Sequence, residues 1–141
     1  MKQISIIGID LAKHVFQLHA VDAHGHKVFS KQVRREKLRL TLAQIPPCHV
    51  AMEACGSAHY WARDIGTLGH EAELLPPQAV KPFVLGHKND ARDAAAIAEA
   101  AARPATPRVT IKTEAQQSLQ AVHRVRSRLV RERTAVGNEL R

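Results

Sequence analysis

Four carboxylates stand at positions suited to holding metal ions. Asp10 follows the apolar run Ile4-Ser5-Ile6-Ile7-Gly8-Ile9, Glu53 lies in Val50-Ala51-Met52-Glu53-Ala54-Cys55-Gly56, and Asp90 and Asp93 share Lys88-Asn89-Asp90-Ala91-Arg92-Asp93-Ala94. Acidic oxygens converging from several segments let two divalent ions, roughly 3.5–4 Å apart, clamp a phosphodiester, activating the attacking oxygen and stabilising the leaving one. Asp90 and Asp93 are spaced so that a helix projects both from one face. Carboxylates held close together repel unless a cation neutralises them. Oxygen-only ligands select hard ions, so Mg²⁺ or Mn²⁺ is expected rather than zinc. Asp10, on the most rigid strand, is the expected bridging ligand. Lys13, Lys88 and Arg92 flank these acids and are candidates for binding neighbouring phosphates. Plainer roles stay open: Asn89 or Asp90 as a helix N-cap, Asp93 as a partner of the helix dipole, and Glu53 in a salt bridge to an arginine.

Such acids are useful only if the fold brings them together. The order of apolar periodicities implies an α/β sheet. Residues 4–9 read as a central strand covered on both faces. Phe16, Leu18 and Ala20 alternate with Gln17 and His19, the period of a half-buried strand, and Asp22-Ala23-His24-Gly25 turns the chain into Lys27–Val33. Leu38, Leu42 and Ile45 recur at helical spacing before Pro46-Pro47. His49–Ala54 is the next strand. Ser57 is a candidate cap for a helix with an inner stripe of Trp61, Ile65 and Leu68, closed by Gly69. Glu71–Leu75 reads as a fifth strand, Gln78–Leu85 as a short helix and Asp90–Ala102 as an alanine-rich one. Right-handed crossovers then make the first strand parallel to the two later ones. Asp10 and Glu53 fall near the C-terminal ends of adjacent strands, where open α/β sheets keep their sites.

Past the proline-bearing segment Arg103-Pro104-Ala105-Thr106-Pro107, Glu114–Arg141 has helical composition and an interrupted apolar stripe. It carries Arg124, Arg126, Arg128, Arg131 and Arg133, a density suited to tracking phosphates or binding a partner, though a solvated helix face would look the same. The expected division is 1–103 for a catalytic domain and 104–141 for a linker and the start of a basic, coiled-coil-like helix. The last residues are still helix-like, and the chain reads as the front part of a longer protein.

At 141 residues the chain has room for one sizeable core, and 21 Lys and Arg against 13 Asp and Glu leave it at +8. Nucleic acid is the default partner and an acidic membrane surface the weaker one. Nothing reads as a secretory leader or a membrane span, which makes the expected location cytoplasmic. Cys48 and Cys55 lack zinc spacing and are expected to be reduced thiols. Of nine histidines, only His24-Gly25-His26 brings two close together, and that reads as a turn rather than a ligand set.

At the acidic residues the sequence resembles the DEDD-type insertion-sequence transposases of the IS-one-ten class, whose N-terminal domain is similar to the RuvC Holliday-junction resolvase. Gly8-Ile9-Asp10-Leu11-Ala12-Lys13 resembles the first motif, Met52-Glu53-Ala54-Cys55-Gly56 the second and the stretch from Lys88 to Ala98 the third. The likeness continues through Gln117–Arg126. The resemblance implies a ribonuclease-H-like (RuvC-like) mixed five-stranded sheet with flanking helices, with Asp10, Glu53, Asp90 and Asp93 as DEDD ligands. It also implies DNA recombination guided by a structured bridge RNA, in more than one copy, and a further C-terminal domain with a nucleophilic serine. The sequence ends before such a domain, and no serine here is assigned that role.

Three other readings use the same residues differently. A resolvase-like nuclease needs the four acids and no serine. A catalytically silent fragment would keep only the basic helix at work. An actin-like or sugar-kinase ATPase also begins with an aspartate after a first strand, but it wants a glycine-rich phosphate turn that Leu11-Ala12-Lys13-His14 does not provide.

Overall fold

A computed structural model describes residues 3–87 and 89–141. The chain divides into two compact units, Met1–Ile111 and Lys112–Arg141.

In the first unit, β1 (Ile6–Asp10), β2 (Val15–Val21), β3 (Lys27–Arg34), β4 (His49–Glu53) and β5 (Glu71–Leu75) form one sheet in the order β3-β2-β1-β4-β5. The first three are an antiparallel meander, while β1, β4 and β5 run parallel. The β2–β3 connection is the turn implied by His24-Gly25-His26. Asp22 Oδ1 accepts the backbone N–H groups of His24 and His26, each at 2.9 Å, and Gly25 takes φ 79°. Those donors, His26 foremost, hold the Asp22 carboxyl below its ordinary range. Both imidazoles are exposed.

Strand side chains alternate between faces, and the sheet accordingly has two cores. Ile7, Ile9, Phe16, Leu18, Val50 and Met52 pack with α1 (Leu38–Ala43) and α2 (Ala58–Gly66) through Leu38, Leu42, Trp61 and Ile65. Phe16 and Trp61 meet edge to face at 5.3 Å, the favoured aromatic geometry. On the other face, Ala51 and Leu75 pack with Val80 of α3 (Pro77–Val80) and with Ile97 and Ala100 of α4 (Asp90–Ala101).

The second face of β2 differs from its half-buried period. Helix α4 packs over β2 as well as β1, so Gln17 is buried and His19 half-buried. Gln17 meets the need for a partner by donating to Ser30 Oγ at 3.0 Å. Burial, with help from the Lys27 charge, lowers the His19 pKa. Two local expectations are corrected. Ser57 adopts helical torsions and makes no side-chain cap for α2. The helix expected over 78–85 breaks into α3 and a 3-10 turn, Lys81–Phe83, where Pro82 has no N–H to extend an α-helical ladder.

His70 pins the first helical layer to the sheet. Its Nδ1 accepts the Cys48 backbone N–H at 3.2 Å, so Nε2 carries the proton and donates to the Leu42 carbonyl at 3.0 Å. Cys48 and Cys55 are free thiols. After α4 the chain returns to the sheet: Arg108 pairs with Glu73 and donates to the Ala101 carbonyl at 2.8 Å, and Val109 N–H bonds Leu74 O at 2.8 Å.

The second unit is dominated by α5, Glu114–Glu139, which is 26 residues long and thus about 39 Å at the usual rise. Thr113 opens it with a capping box, its hydroxyl accepting from Gln116 N–H while the Gln116 side chain accepts from Thr113 N–H. No helix among the described residues is long and apolar enough to cross a membrane.

Candidate functional site

Asp10 closes β1 and Glu53 closes β4, one residue past the paired Ile9 and Met52. Because side chains alternate, Asp10 follows Gly8 on the α4 face, and Glu53 follows Ala51 on the same face. Helix α4 begins beside them. Asn89 caps it, its side-chain oxygen accepting Arg92 N–H at 2.9 Å. That leaves Asp90 and Asp93 uncommitted to capping, in the first turn.

What lets α4 descend onto the strand is the absence of a side chain at Gly8. A β-carbon there would lie 2.3 Å from Ala94 O and 2.7 Å from Ala98 N. The helix meets the sheet with Ala94 and Ala98, both buried. Small residues on both sides bring the acidic first turn over the strand end.

The result is a cluster in which the ligand atoms of Asp10, Asp90 and Asp93 all lie within 4.8 Å of one another. Asp10 and Asp93 are half-buried and Asp90 is exposed. Glu53, also half-buried, lines a cavity of about 460 Å³ together with Asp10 and Asp93. The donors are carboxylate oxygens only, which fits a hard divalent cation and not a soft one.

The basic candidates are distributed differently. Lys13 is exposed in the β1–β2 loop, and its carbonyl accepts from Arg35. Arg92 turns away from the acids: its Nη1 donates to the His87 carbonyl at 2.8 Å, and its side chain lines a separate cavity with His19 and Phe83. Lys88 lies outside the described residues. Arg124, Arg126, Arg128 and Arg131 are exposed on α5, with Arg128 paired to Glu132 at 2.7 Å. At 100° per residue, Arg124, Arg128 and Arg131 share one face, while Arg126 lies nearer the apolar stripe of Val122, Leu129 and Val136. One residue was missed in the sequence. Lys81, exposed, joins the acids in lining their cavity, and a lysine directly before Pro82 near the third motif was the only signal.

A mixed sheet with three parallel strands, a meander edge and acids at the C-terminal strand ends defines a RuvC-like, ribonuclease-H-like fold. The chain superposes on Thermus thermophilus RuvC with a TM-score of 0.56 at 13% identity, covering 74% of this chain and 99% of that one. It also superposes on the same organism's RuvC in complex with a Holliday junction substrate, with a TM-score of 0.53 at 13% identity over 76% of this chain. In sequence, residues 7–141 match the DEDD-type transposase family of the IS110 class, and the chain belongs to that family. It is 58% identical over 98% of its length to a probable family 20 transposase of Pseudomonas aeruginosa, of which it covers 41%. It is 48% identical over 99% of its length to the transposase for insertion sequence element IS1328 of Yersinia enterocolitica, covering 42% of it. The chain thus spans about two fifths of the length of these relatives.

Proposed function

We propose that this chain is the metal-holding part of a DNA recombinase that cleaves and exchanges strands under the guidance of a structured RNA. The observation that supports this best is the convergence of Asp10, Asp90 and Asp93, from two segments distant in sequence, with Asp10 and Asp93 lining one cavity with Glu53. In this reading Asp10, Glu53, Asp90 and Asp93 hold Mg²⁺ or Mn²⁺. Bound there, such an ion would supply Lewis-acid stabilisation of charge on the phosphodiester oxygens.

The chain's own groups do the rest. Asp10 and Glu53 fix one side of the site on the sheet, whose paired strands keep their carboxylates in register. Asp90 and Asp93 approach from α4 and close the other side. Lys81 neutralises a phosphate entering the cavity, and Lys13 one further along the strand. Arg124, Arg126, Arg128 and Arg131 track phosphates of DNA or of the guide RNA, consistent with a net charge of +8. Family membership supports recombination, RNA guidance and action in more than one copy.

The first test is calorimetric. Mn²⁺ should bind the purified chain, and Asp10→Asn should abolish binding; an unchanged affinity in that variant overturns the assignment. A second reading, a junction-cleaving nuclease, is favoured by the RuvC complex with a Holliday junction substrate. Metal-dependent cleavage of a four-way junction by this chain without RNA would select it. Recombination that requires the RNA, with a serine-bearing C-terminal domain supplied separately, would select the first.

A further inference from the structure

On the opposite face of the sheet from the acids, at the same strand ends, lies a cleft of about 600 Å³ whose lining includes His14, Arg34, Arg35, Arg39, Tyr60 and Trp61. We propose that this cleft binds an unpaired nucleotide of a nucleic-acid strand, its base against Tyr60 and its phosphate on Arg34 and Arg35. The proposal rests on the reading of the chain as a nucleic-acid-processing domain and adds a second binding site to it.

Charge and aromatic surface coincide here. Three arginines face Glu36 and Asp64. Arg39 is committed to Asp64 and, at 3.2 Å, to Thr67 Oγ1. That leaves Arg34 and Arg35 against Glu36, a net positive wall. Arg35 stacks its guanidinium 5.4 Å from the Trp61 ring and 5.9 Å from the Phe16 ring, which turns a flexible side chain into a fixed donor platform. Tyr60 is 52% exposed and meets Trp61 edge to face at 5.2 Å. A large ring left half in solvent adds little to the core, but it offers a π-face on which any base can stack.

Trp61 adds a separate observation. Its Nε1 is buried and has no hydrogen-bond partner among the described residues, a cost that a core built for stability alone would ordinarily avoid.

Position argues for a strand and not a small free anion. Asp10 and His14 are joined by Leu11, Ala12 and Lys13, so the backbone of Asp10 at the acids and that of His14 at the rim of the cleft lie at most about 14 Å apart. A strand with one phosphate at the acids can reach the cleft by rounding the end of the sheet, past exposed Lys13. Both ends of that path are then held, which is how a reacting phosphate is kept in register.

The chain has one tryptophan, so binding at the cleft has a local reporter. The full chain, with EDTA present to exclude metal, is titrated with single-stranded oligothymidylate or oligouridylate of about eight nucleotides. Saturable, salt-sensitive quenching of Trp61 emission by either strand is expected, and the stronger of the two tells DNA from RNA. Tyr60→Ala should weaken affinity about 5- to 150-fold, the range for removing one base–aromatic stack, and Arg34→Gln should weaken it in the same direction. Circular dichroism confirms folding of both variants. Because EDTA keeps metal out, loss of this quenching is read separately from loss of Mn²⁺ binding, which separates this site from the metal site. Absence of quenching, or quenching unaffected by both Tyr60→Ala and Arg34→Gln, overturns the proposal.

Discussion

Gly8 lies so close beneath Ala94 that a β-carbon on it would stand 2.3 Å from the Ala94 carbonyl oxygen. The approach is between backbones, so no rotamer change relieves it. Gly8→Ala should therefore lift α4 from β1 and cost about 1–3 kcal/mol, as overpacked cores do. The melting temperature should fall by several degrees, and Mn²⁺ affinity should fall with it because Asp90 and Asp93 ride on α4. Unchanged melting and unchanged Mn²⁺ affinity would show that the helix seat is not what sets the cluster.

Metal should stabilise the fold. An ion that binds only the folded state raises stability by about 2.7 kcal/mol at a hundredfold excess over its dissociation constant. Thermal melts with and without Mn²⁺ should differ for the unmodified chain and coincide for Asp10→Asn and Asp93→Asn. A stabilisation retained in both variants would place the ion elsewhere.

The two thiols should separate kinetically. Burial pushes Cys48 from 9.0 up to about 11, and Cys55 is exposed. At pH 8, iodoacetamide should modify Cys55 readily and Cys48 only on unfolding; equal rates would contradict the burial. Because the folded-state value is raised, the thiol's contribution to stability is complete below pH 9 and is lost as pH climbs toward about 11. Cys48→Ala should flatten the decline in melting temperature over that window.

Changing Arg124, Arg126 and Arg128 to Gln should reduce the slope of log affinity against log salt by about 0.9 for each duplex-DNA phosphate that is no longer neutralised. An unaltered slope would assign α5 to packing. Far-ultraviolet circular dichroism should show the helix intact, since its Thr113–Gln116 capping box is untouched.

Much of this was legible from residue types. Strand β5 begins and ends where its apolar content and the following prolines indicate, and the parallel placement of β1 and β4 follows from the element order. The convergence of Asp10 and Glu53 is a matter of parity, since each comes two residues after a small residue, Gly8 or Ala51, on the same face. What the chain alone hides is reach across the sheet. Nothing local to Gln17 or His19 says that an alanine-rich helix will extend over β2 and bury them. Nor does anything local to Lys81 say that breaking a helix at Pro82 will leave its side chain beside the acids. The cleft around Tyr60 and Arg35 is likewise assembled from the start of β2, the end of β3 and the turn after it, α1 and α2, and no single motif contains it.

The return of the chain after α4 has a consequence for self-association. Val109 adds a one-residue bridge to Leu74, and Arg108 clamps the same border through Glu73. The β5 edge is thus covered in part by the chain's own backbone. The opposite border, β3, carries Lys27, Lys31 and Arg34 along its length. Uncovered and uncharged edges are the ones that recruit strands from neighbouring molecules, and this sheet blunts each border by a different means. A chain cut before Arg108 would keep all four acids yet uncover β5, and would aggregate more readily than the longer chain.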